Sequence, residues 1–323
     1  MRVAQVTDFG GPDVLVPAEA PDPDAGPGQV VVGVEVAGIT YVETQIRRGV
    51  DRWHARPPLP YVPGGLVAGR VIATGPDVDA SWEGRRVIAS TGQTGGFAER
   101  AVAEAGDLFA VPDDLGLPEA VALHSDGATA QGLAETARIT PGDTVLVEAA
   151  AGGVGTLLVQ LARAAGARVI GAARGELKLR LIRDLGADAA VDYSEPGWTK
   201  QVLDATGGVG PTLVFDGVGG AIGRAAFEVT ARGGRFSVHG GASGDATSVD
   251  PSEASARGVT VIGLEQLAGF GPHLDRWARE MVGKAAAGTV HPVIGQTFPL
   301  DRAADAHAAI ENRTALGKTL IVL

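Results

Sequence analysis

The sequence predicts an α/β protein in two parts, a β-rich first portion followed by a doubly wound parallel sheet, and three observations carry the prediction. Short Val- and Gly-rich runs separated by turn signals fill the first 110 residues. From about Leu123, apolar strands alternate with helical spacings at βαβ intervals. One of those strands runs into a glycine turn at Gly152–Gly155. A length of 323 residues suits two domains better than one small core, and 45% hydrophobic with 20% charged residues is ample for globular burial.

Charge and cysteine usage narrow the function classes. With a net charge of -11, no dense basic patch exists to release counterions, which excludes nucleic acid and anionic membrane surfaces as partners. Any phosphate must be met by a few placed groups. Zero cysteine removes disulfides, thiolate catalysis and thiolate-held zinc together. The amino-terminal "MRVAQVTDFGGPDVL" lacks a basic-then-apolar signal layout, and no run of about 18 apolar residues occurs, so a cytoplasmic location without a membrane span is expected.

The elements follow in order. The runs "QVVVGVEVAGI", "GRVIATG" and "RRVIAS", set between "GGPD", "DPDAGPG" and "PDVD", predict short, mostly antiparallel strands. Helical spacing in "DGATAQGLAETAR" precedes the buried strand "DTVLVEAA", the helix "GTLLVQLARAAG", the strand "ARVIGAA" and the helix "LKLRLIRDLG". "PTLVFDGVGG" and "GGRFSVHGG" continue the parallel sheet. "GVTVIGLEQL" reads as an edge strand able to pair across a two-fold axis, so a homodimer is expected. The tail "FPLDRAADAHAAIENRTALGKTLIVL" adds an amphipathic helix and a last strand.

The chemistry concentrates in "DTVLVEAAAGGVGTLLVQ". A strand ends at about Ala149, the turn Gly152, Gly153, Val154, Gly155 follows, and a helix opens on Gly155 and Thr156. Glycines permit close approach to a pyrophosphate, and the helix N-terminus supplies N–H groups and the positive dipole end. Against G-x-G-x-x-G the positions are Ala150, Gly152 and Gly155, one glycine short. At the end of the next strand, where NAD-specific folds place an acid, "VIGAARGELK" offers Arg174 and Lys178, which favours the 2′-phosphate of NADPH. The competing reading has these cations solubilising a helix start, with Glu176 pairing one of them.

Taken in order, "AGITYVETQIRRG", "LPYVPGGLVAGRVIATG", "GGFAERAVA", "AAAGGVG", "FDGVGG", "GGRFSVHGG" and "ALGKTLIVL" resemble the zinc-independent quinone oxidoreductase branch of the medium-chain dehydrogenase/reductase superfamily over nearly the whole chain. The resemblance implies a GroES-like substrate domain from residues 1–124 and 266–323 and a Rossmann-type NADP(H)-binding domain from 125–265, with function in the cleft between them. It also implies no metal: zinc-dependent relatives carry "GHE" where this chain reads "PGGLVAG", and the histidine and glutamate positions are Gly65 and Leu66. Without zinc, electron-poor acceptors suit direct hydride transfer, so NADPH-dependent reduction of a quinone or an α,β-unsaturated carbonyl compound is expected. The alternatives are an enoyl-thioester reductase and a non-enzymatic NADPH-binding sensor or structural protein.

The same resemblance names residues. Thr40 stands where relatives place an asparagine near the nicotinamide, with Glu43 or Thr44 near the usual aspartate. Tyr41 is a candidate proton donor and Trp53 a candidate aromatic wall. Thr129 resembles a threonine near the nicotinamide and phosphates, and Tyr193 the tyrosine that contacts the 2′-phosphate. Asp216 and Gly217 end a strand facing the cofactor, His239 and Gly240 belong to the nicotinamide-side loop, and Asn312 and Lys318 lie near the cleft.

Overall fold

The computed structural model describes residues 1–323 and divides into two units, Met1–Ser125 with Val293–Leu323, and Asp126–Pro292. In the first unit, β1 (Arg2–Val6) pairs antiparallel with β2 (Leu15–Glu19). The ten-residue β3 (Gln29–Gly38) buries Val30, Val31, Val32, Val34 and Val36, because consecutive valines suit a strand covered on both faces. Helix α1 (Tyr41–Arg48) follows at once. Thr40 and Glu43 form a reciprocal capping box at its start, and Gly49 at φ 73° ends it in the left-handed region. The strands β4 (Leu66–Thr74), β5 (Arg86–Ser90), β6 (Arg100–Glu104) and β7 (Phe109–Ala110), then helix α2 (Leu117–Ala122), complete this stretch.

The chain passes into the second unit within a π-helical turn, Leu123–Gly127, that runs straight into α3 (Ala128–Ala137). Strands and helices then alternate: β8 (Thr144–Glu148), α4 (Gly153–Ala164), β9 (Arg168–Ala173), α5 (Glu176–Asp184), β10 (Ala189–Asp192), α6 (Trp198–Ala205), β11 (Leu213–Asp216), α7 (Gly220–Val229), β12 (Arg235–Val238), α8 (Pro251–Arg257), β13 (Thr260–Ile262) and α9 (Leu274–Ala286). The six strands form one parallel sheet in the order β10-β9-β8-β11-β12-β13. This doubly wound order reverses direction beside β8, and ligands of such sheets bind outside the carboxyl ends of the strands at that reversal. Val145, Leu146 and Val147 of β8 are fully buried, and each such side chain contributes about 1.5–3 kcal/mol.

The tail then returns to the first unit as β14 (Ile294–Pro299), α10 (Ala303–Glu311) and β15 (Lys318–Val322). β15 pairs antiparallel with β3, giving the order β14-β15-β3-β4-β5-β7 with β6 also on β3. Leu300, Ala303, Ala306 and Ile321 join the valines of β3 in one core, so the tail is integral to this unit. No helix is long and apolar enough to cross a membrane.

Two expectations are corrected. The second unit extends to Pro292 rather than to residue 265, because α9 packs on α3. Trp277 lies edge-on to Phe270 at 4.8 Å, leaves no room for a side chain at Gly132, and donates its Nε1–H to Glu135 at 3.0 Å. The Gln160 amide exchanges two hydrogen bonds with the His291 backbone and anchors the end of the segment. Helix α4 also opens at Gly153, two residues before the expected start: Gly152 is extended at φ -86° and ψ 173°, and its carbonyl accepts from Thr156 N–H.

The turn into α4 imposes one strained residue. Ala149 sits at φ 48°, a region that L-residues enter at a cost and glycine enters readily. Ala149→Gly is therefore expected to stabilise the protein by about 0.5–1 kcal/mol, read as a higher urea midpoint at unchanged slope.

Candidate active site

In the second unit the glycine turn works by steric exclusion. A β-carbon at Gly155 would collide with the Ala149 carbonyl and Ala150 Cα, so only glycine lets α4 rest this close to β8. Gly152 caps the helix without a side chain. The first-turn N–H groups of Gly153, Val154 and Gly155 lie at the positive end of the helix dipole, a place suited to an anion.

The register that pairs Asp192 with Ala173 sets Arg174 and Tyr193 side by side beyond the ends of β9 and β10, and Tyr193 N–H donates to the Ala173 carbonyl at 3.2 Å. Lys178 occupies the first turn of α5. Glu176 turns away, pairing with Arg183 at 2.9 Å and Arg180 at 3.5 Å. Asp192 is the nearby acid; although burial opposes it, hydrogen bonds from Ser194 and Gly175 hold its pKa below 3.8, and Arg174 adds to the effect. The carboxyl end of β9 thus carries a cation and no carboxylate of its own.

At the sheet reversal, three polar side chains end adjacent strands. Glu148 closes β8, Asp216 closes β11 and His239 follows β12. Both acids are fully buried, and neighbouring register pairs Phe215 with Val147 immediately before them. Asp216 Oδ1 accepts from Val218 N–H at 3.0 Å and Gly219 N–H at 2.7 Å, which fixes the "FDGVGG" turn. Burial, the Asp216 charge and a hydrogen bond to Asp216 together drive the Glu148 pKa well above 4.5, so Glu148 keeps its proton. The His239 ring lies against Gly217, and a β-carbon at Gly240 would sit 2.6 Å from the Gly217 carbonyl, so Gly217, His239 and Gly240 form one packed pair of loops. Burial lowers the His239 pKa to about 4, and the imidazole is neutral near pH 7.

In the first unit, Glu43 organises the start of α1. Its Oε2 accepts from Thr40 N–H at 2.6 Å and Thr40 Oγ1 at 3.1 Å, and its Oε1 from Gly65 N–H at 3.0 Å. Burial raises its pKa, opposed by Thr40, Lys318 and Gly65. Lys318 is buried and donates to Ser125 Oγ at 3.2 Å. The Arg313 guanidinium lies 4.8 Å from the centre of the Tyr41 ring, with Nη2 3.4 Å from Tyr41 Oη. Thr40, Tyr41 and Lys318 are therefore brought together. Trp53 is 77% exposed on the loop after α1, its backbone N–H donating to Asp51, and Asn312 is the exposed C-cap of α10; neither joins that group. Thr129 lies half-buried in the first turn of α3.

The position where zinc enzymes carry histidine is closed. A β-carbon at Gly65 would sit 2.7 Å from the Gly92 carbonyl, and no group of three His, Asp or Glu residues is arranged to hold a metal ion.

Comparison with known proteins decides the family. Residues 26–113 match the alcohol dehydrogenase GroES-like domain, and residues 153–268 match the zinc-binding dehydrogenase family. The chain is 30% identical to quinone oxidoreductase of Rattus norvegicus, with all of this chain and 98% of that one covered. It is 33% identical to quinone oxidoreductase of Pseudomonas aeruginosa, with 98% of each covered. The chain belongs to the quinone oxidoreductase family. A mycobacterial structure complexed with NADPH superposes with a TM-score of 0.89 at 33% identity over the full length of both chains.

For a quinone oxidoreductase the sequence showed the glycine turn and the cation at β9 readily. It gave little notice of Arg313, and Glu148 went unnoticed. A usable signal existed for Glu148: an acid as the last residue of an otherwise apolar central strand, matched by Asp216 in the same place on β11. Two substitutions test this pair. Glu148→Gln keeps a donor for Asp216 and should retain fold and activity, whereas Glu148→Ala should cost about 1–3 kcal/mol by removing that donor from the buried Asp216 carboxylate. Because the folded protein holds the Glu148 proton more tightly than the unfolded chain does, stability should fall as pH rises above 4.5 toward the raised value. Glu148→Gln should flatten that slope in urea titrations run across pH.

Proposed function

We propose that the protein reduces a quinone or an α,β-unsaturated carbonyl compound with hydride from NADPH, without zinc. The observation that carries the cofactor choice is Arg174 beside Tyr193 at the carboxyl end of β9, with Glu176 committed to Arg180 and Arg183. Full-length similarity to proteins named quinone oxidoreductase, and to a structure complexed with NADPH, supports the reaction class.

The reduced nicotinamide, when bound, supplies the hydride. The chain supplies position and charge. Gly153, Val154 and Gly155 offer N–H groups to the pyrophosphate, and Arg174, Lys178 and Tyr193 offer two cations and a hydroxyl to the 2′-phosphate. Thr129, Gly217, His239 and Gly240 shape the nicotinamide side, where neutral His239 packs rather than protonates. On the acceptor side Tyr41 Oη, oriented by Arg313, donates to the oxygen on which charge develops. Thr40, with its hydroxyl engaged by Glu43, and Lys318 hold that side in shape. Quinones need no Lewis acid for this step, which accords with the closed position at Gly65.

A homodimer belongs to the same proposal, since β13 is the outer strand of its sheet and Thr260 and Val261 are exposed. Light scattering should give twice the chain mass. Replacing Arg174 and Lys178 together with alanine should raise KM for NADPH by at least about tenfold and leave KM for NADH nearly unchanged; equal effects on both cofactors would refute the 2′-phosphate assignment. Chelator treatment should leave turnover intact, and stoichiometric zinc in elemental analysis would overturn the metal-free reading.

A further inference from the structure

Beside the glycine turn sits a carboxylate that none of the cofactor contacts requires. Asp126 is the fourth residue of the π-helical turn Leu123–Gly127. A β-carbon at Gly153 would collide with Asp126 Oδ2 and lie 2.8 Å from Asp126 Cγ, so the carboxylate rests against the first residue of α4. This helix end has no capping side chain of its own, because its N-cap is Gly152. A negative group there is favoured by the helix dipole and the first-turn N–H groups, the same features that attract a phosphate. Helices broken by a π turn commonly present side chains at functional sites, and this one delivers an acid to the place where a dinucleotide fold receives its pyrophosphate.

We infer that Asp126 sets the affinity of the turn for NADPH by occupying the helix end in the free protein and opposing the pyrophosphate in the bound one. The inference rests on the NADPH reading above. In the free protein the carboxylate lies against the first residue of α4, where the helix dipole favours a negative charge. When the cofactor binds, Asp126 must swing aside or remain as a like charge beside two phosphates, and either course weakens binding. The side chain is thus an affinity-determining residue, and it makes the free, cofactor-ready state more stable at the expense of tight binding.

The test is calorimetric titration of the full-length protein and of Asp126→Asn and Asp126→Ser, with NADPH and with adenosine 2′-monophosphate, which carries the 2′-phosphate but no pyrophosphate. Both variants should lower the Kd for NADPH on the order of tenfold, the scale of one like-charge pair near a protein surface, and leave the Kd for adenosine 2′-monophosphate unchanged. They should also melt at a slightly lower Tm without ligand, since the negative charge that the helix dipole favours is gone. Unchanged or weaker NADPH binding in both variants, with adenosine 2′-monophosphate still bound, would overturn the inference alone. If the unaltered protein bound neither probe, the cofactor reading would fail and the inference with it.

Discussion

The close approach of α4 to β8 is the constraint on which the rest of the second unit depends. Gly155 has no side chain, so the helix can press its first turn against the Ala149 carbonyl and Ala150. That contact forces Ala149 into the left-handed region and brings the first N–H groups of α4 to the carboxyl edge of the sheet. The sheet order reverses beside β8, so the same edge gathers Glu148, Asp216 and His239 from the ends of neighbouring strands. Local strain at one alanine is the cost of bringing that helix end to the carboxyl edge of the sheet.

A chain with net charge -11 can hold a highly anionic cofactor only if positive charge is placed rather than accumulated. The second unit places a helix N-terminus at Gly153, and Arg174 and Lys178 near the end of β9. It also manages its own acids. Glu148 keeps a proton beside Asp216, Asp192 is tied down by Gly175 and Ser194, and Glu176 is turned toward Arg180 and Arg183. The first unit follows the same rule at Glu43, where the carboxylate is satisfied by Thr40 and Gly65 with Lys318 close by.

Much of this was legible in the sequence because it is written in local patterns. Valine-rich runs and βαβ spacing gave both sheets, and "AAAGGVG" gave the anion turn although its first glycine is Ala150. The boundary after Pro292 was less legible, since it depends on Trp277 of α9 finding Gly132 of α3, a contact between residues far apart in the chain. The site was legible where a residue acts through its own backbone, as at Gly153 and Gly155. It was hidden where a contact joins residues distant in sequence: Arg313 over Tyr41, Asp126 against Gly153, and Glu148 beside Asp216. Thr40 shows the converse, since its position suggested chemistry while its hydroxyl closes a capping box with Glu43.

The proposed reaction is hydride transfer from NADPH to an electron-poor acceptor without zinc. The most direct measurement is the loss of near-ultraviolet absorbance of NADPH in the presence of p-benzoquinone and a chelator, with NADH as the paired cofactor. The expected result is enzyme-dependent oxidation of NADPH with one quinone reduced per NADPH consumed, and much slower oxidation of NADH at the same concentration. No enzyme-dependent oxidation of NADPH, or equal rates with both cofactors, would contradict it.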